Sequence, residues 1–294
     1  MINNRCFASL LTLAVLSSVT AANAQQPARD EAVERALRHA TPEWAMIGPH
    51  MPNSETATAE KLAEAADVLR ARRMQEDALD YYRYALKRGG EVSKLENDIG
   101  VTLLELNRFP EARIAFKAAV KATPKYAQGW NNLGAVEYVA GNPKAALGNY
   151  LRAVKLDKKS AVFHANLGTA YFELKDFESA RAEFSKAVKI NHGVFQEGGW
   201  AGVQAHVLST SDRGRYCFEM AKMAAGLHDV DNVIRWLARS SEAGFNVKDE
   251  IAGDKDFNPY RKDPRILMAI RNAHALRTGQ IADSGLAEPA PQTP

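Results

Sequence analysis

The sequence has little cysteine, no large excess of either charge and no closely spaced histidines. Of its 294 residues two are cysteines, and 38 lysines and arginines stand against 35 acidic residues, a net charge of +3. Basic and acidic residues alternate along the chain, so no basic stripe offers a path for a phosphate backbone. The composition therefore argues against a nucleic acid as partner.

The motifs that mark most metal and catalytic sites are also absent. The seven histidines are never closer than eleven residues, so none forms the i, i+4 pair that places two ligands on one helix face. Neither a glycine-rich phosphate loop nor the Gly-x-Ser-x-Gly turn of hydrolases occurs. We therefore predict no metal site and no cofactor.

The first 24 residues have the pattern of a secretory signal peptide. Arg5 precedes an apolar run over 6–22, and residues 22–24 read Ala-Asn-Ala, a small-x-small cleavage sequence. A membrane anchor is the alternative, but serines and threonines interrupt the run and it is short for a bilayer span. The sequence predicts export to the periplasm or the exterior, with cleavage after Ala24 and a mature chain that begins at Gln25.

Cleavage would leave Cys217 as the single cysteine, so the exported chain would contain no internal disulfide. A lone cysteine on the apolar side of a helix is most often a core residue. In the other interpretation Cys217 is a nucleophile with His206 or His228 as its base. An enzyme or enzyme-accessory module, with a site near Cys217 and residues 198–215, is accordingly the second functional hypothesis.

Residues 59–194 repeat with a period of 34, four times without an insertion. The units begin at Ala59, Ser93, Ala127 and Ala161. The twentieth and twenty-seventh positions are alanine in every unit. The eighth position is small, with Ala66, Gly100, Gly134 and Gly168. The twenty-fourth position is aromatic, with Tyr82, Phe116, Tyr150 and Phe184.

This pattern predicts one helical hairpin in each unit. A small eighth residue lets the first helix approach the second, and positions twenty, twenty-four and twenty-seven share one face of the second helix. We expect the aromatic to fill the gap to the next hairpin, and Asn107, Gly141-Asn142 and Asp176 to form the turns. Because one hairpin cannot bury its own apolar face, the units should stack into a solenoid.

These residues resemble the tetratricopeptide repeat family, whose pattern is Trp-x2-Leu-Gly-x2-Tyr followed by Ala, an aromatic, Ala and Pro. The third unit matches it best, with Trp130, Leu133, Gly134, Ala146, Tyr150 and Ala153. The resemblance implies an all-α fold, a right-handed α-solenoid of antiparallel helical hairpins. It also implies a non-enzymatic scaffold for protein partners, since that is what most members of the family are.

The segments that flank the four units depart from the period. Residues 25–58 are predicted to contain a charged helix near 28–40 and a loop rich in proline and glycine. Residues 195–213 are read as an irregular insertion, and 278–294, rich in proline and alanine, as a disordered tail.

Residues 214–277 are predicted to form a degenerate fifth hairpin and a C-terminal cap. A unit that begins at Gly214 places Ala221, Val233, Leu237 and Ser240 on the family's spacing. Gly244 should end the second helix of that unit. The residues over 254–266 resemble the ending often seen after terminal repeats of this family, and a last helix near 264–277 would cover the open end.

The resemblance further implies a binding groove. In such a stack the first helices line the concave side, and peptide-binding members hold a ligand backbone with asparagines at the positions of Asn132 and Asn166, because an amide donates and accepts. The alternative is that these asparagines satisfy only local backbone groups. The predicted groove residues are Lys94, Asn97, Asn131, Asn132, Tyr138, Asn166, Thr169 and Phe172.

We therefore expect an exported scaffold of the cell envelope that binds a protein or an extended peptide in this groove and catalyses no reaction. Because Lys94 is the one basic residue among the groove positions, a clamp for a chain-terminal carboxylate is not expected. Self-association, through an uncapped end or the insertion at 195–213, is a narrower variant of the same hypothesis.

Overall fold

The computed structural model of the protein describes residues 31–195 and 210–279. The predicted signal peptide, most of the predicted insertion and nearly all of the predicted tail lie outside these residues. The chain divides into two compact units, Met1–Arg88 and Gly89–Pro294.

Every regular element in the described ranges is helical, and no strand occurs there. The α-helices are α1 (Glu31–His39), α2 (Pro42–Ile47), α3 (Ala59–Ala71), α4 (Gln75–Lys87), α5 (Val92–Glu105), α6 (Phe109–Ala122), α7 (Ala127–Val139), α8 (Pro143–Leu156), α9 (Ala161–Glu173), α10 (Phe177–Ile190), α11 (Thr210–Gly226), α12 (Val230–Glu242), α13 (Val247–Gly253) and α14 (Pro264–Thr278). Short 3-10 helices follow α2 at Gly48–His50 and α13 at Lys255–Phe257.

In the first unit, α3 and α4 form the hairpin of the first repeat and α1 is joined to α4 by ion pairs. Arg35 Nε donates to Asp80 Oδ2 at 2.7 Å, and Arg38 Nε donates to Asp77 at 3.2 Å. The ring of His39 lies 2.9 Å from the Asp77 carboxylate. Because Asp77 is buried, the Arg38 guanidinium offsets the cost of removing its charge from water.

The loop predicted before the first repeat contains a short helix. Thr41 caps α2 by accepting a hydrogen bond from the Trp44 amide at 3.2 Å, and Pro42 occupies the first turn. A proline at this position costs nothing, because its missing N–H would have no partner inside the helix. Pro42 therefore starts a helix inside the predicted loop.

In the second unit, four hairpins follow one another: α5 with α6, α7 with α8, α9 with α10, and α11 with α12. Glycine at the eighth position packs against the aromatic ring of its own hairpin. A Cβ added to Gly100, Gly134 or Gly168 would lie 2.5–2.6 Å from the ring of Phe116, Tyr150 or Phe184. The ring thus fills the gap inside its own hairpin, and it also reaches the next hairpin as predicted: the Phe184 ring centroid lies 5.7 Å from that of Tyr216 on α11, and Tyr150 shares an apolar cluster with Leu167 on α9.

One backbone turn joins the two helices of every hairpin. The fifteenth residue of each repeat has positive φ, and the next amide donates to the carbonyl five residues earlier, which is the left-handed helix ending of a Schellman motif. The residues with positive φ are Arg73, Asn107, Gly141, Lys175 and His228. The donors that follow them are Met74, Arg108, Asn142, Asp176 and Asp229.

The fifth hairpin uses this turn in the register that begins at Gly214. Ala221, Val233, Leu237 and Ser240 are all fully or almost fully buried. The Ser240 hydroxyl donates to the Gly214 carbonyl at 2.7 Å, which ties the start of α11 to α12. Gly244, with φ of 87°, follows the end of α12 as the sequence predicted.

The segment after α12 packs onto the fifth hairpin. Phe257, Tyr260 and Ile266 are buried in the same apolar cluster as Phe218 and Val233. The Tyr260 hydroxyl donates to the carbonyl of Ala225, at the end of α11, at 3.3 Å. Helix α14 lies against α12.

Candidate functional site

The predicted groove face runs across the first helices of three successive hairpins in the second unit. Helix α7 lies against both α5 and α9. The side chains that α5 and α7 place here are mainly amides and small aliphatics.

Side-chain amides form a continuous hydrogen-bonded chain across these three helices, which we call the amide chain. Asn166 Nδ2 donates to Asn131 Oδ1 at 2.8 Å, and Asn131 Nδ2 donates to Asn132 Oδ1 at 3.1 Å. Asn132 Nδ2 then donates to Asn97 Oδ1 at 2.8 Å, and Asn97 Nδ2 to Asp98 Oδ1 at 3.3 Å. Two of these bonds link residues of neighbouring repeats, so the asparagines bind each other rather than local backbone groups.

Burial divides the predicted asparagines into two groups. Asn97, Asn131 and Asn166 are only 3–5% exposed, and their amides are occupied by the amide chain. Asn132 is half-buried and also accepts a hydrogen bond from Gln128 Nε2 at 3.1 Å. Of the four, Asn132 is therefore the one that a partner in the groove reaches without displacing other side chains.

Lys94 and Thr169 lie at two edges of the same face. The Lys94 side chain is exposed on α5, and Thr169 is half-buried on α9, where its hydroxyl donates to the Ala165 carbonyl at 3.1 Å. Each of these side chains keeps some surface for a partner. Their role in binding stays a prediction.

The two predicted aromatics are buried. Tyr138 is 6% exposed, and its hydroxyl donates to Glu173 Oε1 at 3.0 Å in the next repeat. Burial, helped by the Glu173 charge, raises the pKa of Tyr138 well above its ordinary value, so the phenol stays neutral. This hydroxyl joins α7 to α9 and is not directed at a partner.

Phe172 belongs to the core between the fourth and fifth hairpins. It is fully buried, with its ring centroid 5.3 Å from those of Phe177 and Tyr216. A partner in the groove does not reach this ring, which corrects its assignment to the groove surface. The four-unit pattern could not reveal this, because Tyr216 comes from the hairpin beyond the insertion.

Several accessible residues on this face were not among the predicted site residues. Val101 on α5 and Ala135 on α7 are half-buried, and Gln128 at the start of α7 is exposed. They occupy the same helical positions as the predicted residues. The helical spacing alone was therefore the signal that could have identified these small and polar residues.

The groove face carries little net charge. Asp98 is the acidic residue of these positions and Lys94 the basic one. Burial and the nearby charges of Asp98 and Glu91 raise the pKa of Tyr126, which precedes α7. A partner of strongly negative charge would meet little to neutralise it here.

Cys217 does not have the surroundings of a nucleophile. It is 5% exposed within the apolar cluster of the fifth hairpin, and burial raises the pKa of its thiol to about 11. At neutral pH the group is therefore a thiol rather than the reactive thiolate. His228 lies exposed in the turn after α11, and His206 is outside the described residues.

No group of acidic, histidine or cysteine side chains suited to a metal ion occurs within 31–195 and 210–279. Among the helices of these same ranges, none combines the length and the apolar composition that a membrane span requires.

Comparison with known proteins identifies the repeats. Residues 62–127, 97–161 and 131–193 each match the model of the tetratricopeptide repeat family. Residues 62–193 are tetratricopeptide repeats. The predicted fold class, an all-α solenoid of this repeat, is confirmed. Tetratricopeptide proteins are generally scaffolds for protein interactions, and the fold indicates the same class of function.

No curated protein sequence matches the chain. Among solved structures, it is similar to pilF of Pseudomonas aeruginosa at 18% identity, with a TM-score of 0.46 over 69% of this chain and 81% of the other. It is similar to MamA of Desulfovibrio magneticus RS-1 at 18% identity, with a TM-score of 0.46 over 66% and 97% of the two chains. YrrB, a tetratricopeptide protein with an unusual peptide-binding site, matches at 17% identity, with a TM-score of 0.44 over 72% and 91%.

Proposed function

We propose that this protein is an exported scaffold that binds a protein or an extended peptide along the face of α5, α7 and α9, without catalysing a reaction. The observation that carries the proposal is a strip of accessible small and polar side chains above a floor of hydrogen-bonded amides. The strip consists of Lys94, Val101, Gln128, Asn132, Ala135 and Thr169.

The amide chain supports binding because its side chains are already ordered. The amide chain fixes its side chains before a partner arrives, so the partner does not have to supply the free energy of ordering them. Asn132, at the middle of the strip, combines accessibility with membership of the chain. The proposed partner contact thus centres on Asn132 rather than on the buried Asn131 and Asn166.

Site-specific photocrosslinking tests this face against a matched control. A benzoylphenylalanine at Val101 would place the crosslinker in the strip, whereas one at Ile114, 68% exposed on α6, would place it on a second helix. We expect the same partner band from position 101 in extracts of the native cell, and none from position 114. Equal crosslinking from both positions, or from 114 alone, would contradict the groove assignment.

Alanine at Asn132 adds a second test. The partner recovered at position 101 should be lost or strongly reduced in Asn132→Ala, whereas Lys117→Ala, an exposed change on α6, should leave recovery unchanged. Recovery that is unaffected by Asn132→Ala would show that the crosslinked surface does not depend on this amide.

Export and the closing of the array are part of the same proposal. Fractionation should place the protein in the periplasm or the medium, and N-terminal sequencing should begin at Gln25. A chain that retains residues 1–24 would overturn cleavage.

Residues 254–278 are proposed to close the last hairpin, supported by the burial of Phe257, Tyr260 and Ile266. Because a closed end leaves no apolar face for a second copy, light scattering should show a monomer.

A further inference from the structure

The amide chain has one direction along its whole length. At every link the nitrogen of one side chain faces the oxygen of the next, from Asn166 through Asn131, Asn132 and Asn97 to Asp98. Gln128 joins with the same sense, since its nitrogen donates to Asn132 Oδ1. The chain therefore ends at the one member that carries no N–H.

This end determines the orientation of every amide. An ionised carboxylate only accepts hydrogen bonds, so Asn97 must present its nitrogen to Asp98 and its oxygen to Asn132. Asn132 then presents its nitrogen to Asn97 and its oxygen to Asn131, and the same logic passes to Asn166. Without the carboxylate, the hydrogen bonds of an amide chain could run in either direction, because each amide has both a donor and an acceptor end.

The direction of the amide chain decides whether Asn132 offers a partner a hydrogen-bond donor or an acceptor. Asn132 Oδ1 accepts from both Asn131 and Gln128, which uses both of its lone pairs. One hydrogen of Asn132 Nδ2 is donated to Asn97, and the second has no acceptor among the residues of the described ranges. At Asn132 the groove therefore offers a partner a donor and not an acceptor.

We propose that Asp98 is a positioning residue that fixes the direction of the amide chain, so that Asn132 offers an N–H and the groove selects its partner through carbonyl oxygens. This inference rests on the proposed function, since it concerns the chemistry of the same groove. The partner class that fits is an extended peptide whose main-chain carbonyl faces Asn132.

The direction of the chain is testable without a partner. In the full chain labelled with 15N, hydrogen exchange of the side-chain amides of Asn97, Asn131, Asn132 and Asn166 is compared between wild type and Asp98→Asn. Loss of the charged end should speed exchange of the donated hydrogens roughly tenfold, because a hydrogen bond to a charged group is lost and the chain can reverse. Asp98→Glu should restore the wild-type pattern.

The matched control is Glu105→Gln, which removes an exposed carboxylate from the same helix α5. Its circular dichroism and its amide exchange should both equal those of wild type. Wild-type exchange in Asp98→Asn, with the fold intact, would overturn the proposal. If Asp98→Asn does not fold, Asn132→Asp replaces the same N–H by an oxygen, at the loss of the hydrogen bond to Asn97, and the binding measurement decides.

Binding is measured with peptides selected from a random displayed library on the wild-type chain and retained only if they crosslink at position 101. We expect Asp98→Asn, or Asn132→Asp, to weaken them roughly tenfold, the cost of one unmatched hydrogen-bonding group. An ester scan, which weakens each peptide carbonyl as an acceptor, should show one sensitive position. Equal affinity for wild type and variant would overturn this inference alone, whereas the absence of any peptide that crosslinks at 101 would overturn the proposed function with it.

Discussion

The hairpins built from α5 to α10 and the hairpin built from α11 and α12 have the same turn but different packing between their helices. In the former, glycine at the eighth position receives the ring of an aromatic at the twenty-fourth. In the fifth hairpin those positions hold Ala221 and Leu237, both buried, and the turn at His228 still has positive φ. The backbone ending is thus retained where the side-chain pattern of the repeat is not.

The fifth hairpin also has a buried ionic contact. Glu219 on α11 is fully buried between Arg181 of α10 and Arg215 of its own helix. The Arg215 guanidinium lies over the ring of Phe177 at 4.6 Å. Charged and aromatic contacts thus join the fourth and fifth hairpins, whereas α5, α7 and α9 are joined by the amide chain and by the hydrogen bond from Tyr138 to Glu173.

The largest effect should come from Glu219→Ala. Removing the carboxylate leaves two guanidinium groups against an apolar cluster, and breaking a buried ion pair in this way costs about 3–5 kcal/mol. Urea unfolding measures the loss. Glu242→Ala, at an exposed position on α12, is the control and should change stability by less than about 0.5 kcal/mol. Equal effects would show that the contact contributes nothing to the fifth hairpin.

Cys217 reports whether the fifth hairpin is as well packed as the others. With the thiol buried and its pKa raised to about 11, iodoacetamide at neutral pH should react roughly a hundredfold more slowly in the folded protein than in urea. Mass spectrometry of the alkylated chain measures both rates. A folded thiol that reacts as fast as the unfolded one would mean that this core opens freely, and would revive the hypothesis of a site near Cys217.

Gly168→Ala tests the packing that the fifth hairpin lacks. The new methyl would lie 2.5 Å from the Phe184 ring and 3.1 Å from the Ala180 carbonyl, so overpacking should cost about 1–3 kcal/mol.

Gly148 is the matched control. It is exposed on α8, and a Cβ added to it would meet nothing within 4 Å, so Gly148→Ala should stabilise by about 0.5–1 kcal/mol through helix propensity. Two substitutions of the same type should therefore have opposite signs. If Gly168→Ala also stabilised, the close approach of Phe184 would not require glycine.

The repeat spacing predicted most of the fold, because the period of the small and aromatic residues indicates which helix faces pack against each other. The spacing also placed Ala221 and Leu237 correctly beyond the insertion, although residues outside 62–193 do not match the family model. It could not show that Phe172 is covered, since burial by a later hairpin leaves no mark on the repeat itself.

The amide chain was likewise beyond the sequence. Asparagines at the fifth and sixth positions predicted a polar face on the first helices. Which of these amides form hydrogen bonds with each other depends on the stagger between neighbouring first helices. Asn132 bonds Asn97, thirty-five residues away, rather than its equivalent one period earlier, Asp98. The direction of the chain follows from Asp98, whose importance is visible only when its neighbours are in place.

The smallest effect should come from the fifteenth position, where the comparison between hairpins is most direct. His228 adopts φ of 57° in the fifth hairpin, and Gly141 adopts φ of 77° in the third. A left-handed conformation costs a residue with a Cβ about 1 kcal/mol, and glycine avoids this cost. Because glycine also gives the unfolded chain more conformational entropy, which offsets part of the gain, His228→Gly should stabilise by roughly 0.5 kcal/mol. Gly141→Ala should destabilise by about 1 kcal/mol for the same reason.

Asn107→Gly, at the same position of the second hairpin, is the control. Asparagine tolerates left-handed φ better than most residues, so this change should be nearly neutral. Chemical denaturation of the three variants measures the series. If His228→Gly destabilised the chain while Gly141→Ala behaved as expected, the turn of the fifth hairpin would depend on the histidine side chain. The two turns would then share a backbone conformation but not the same source of stability.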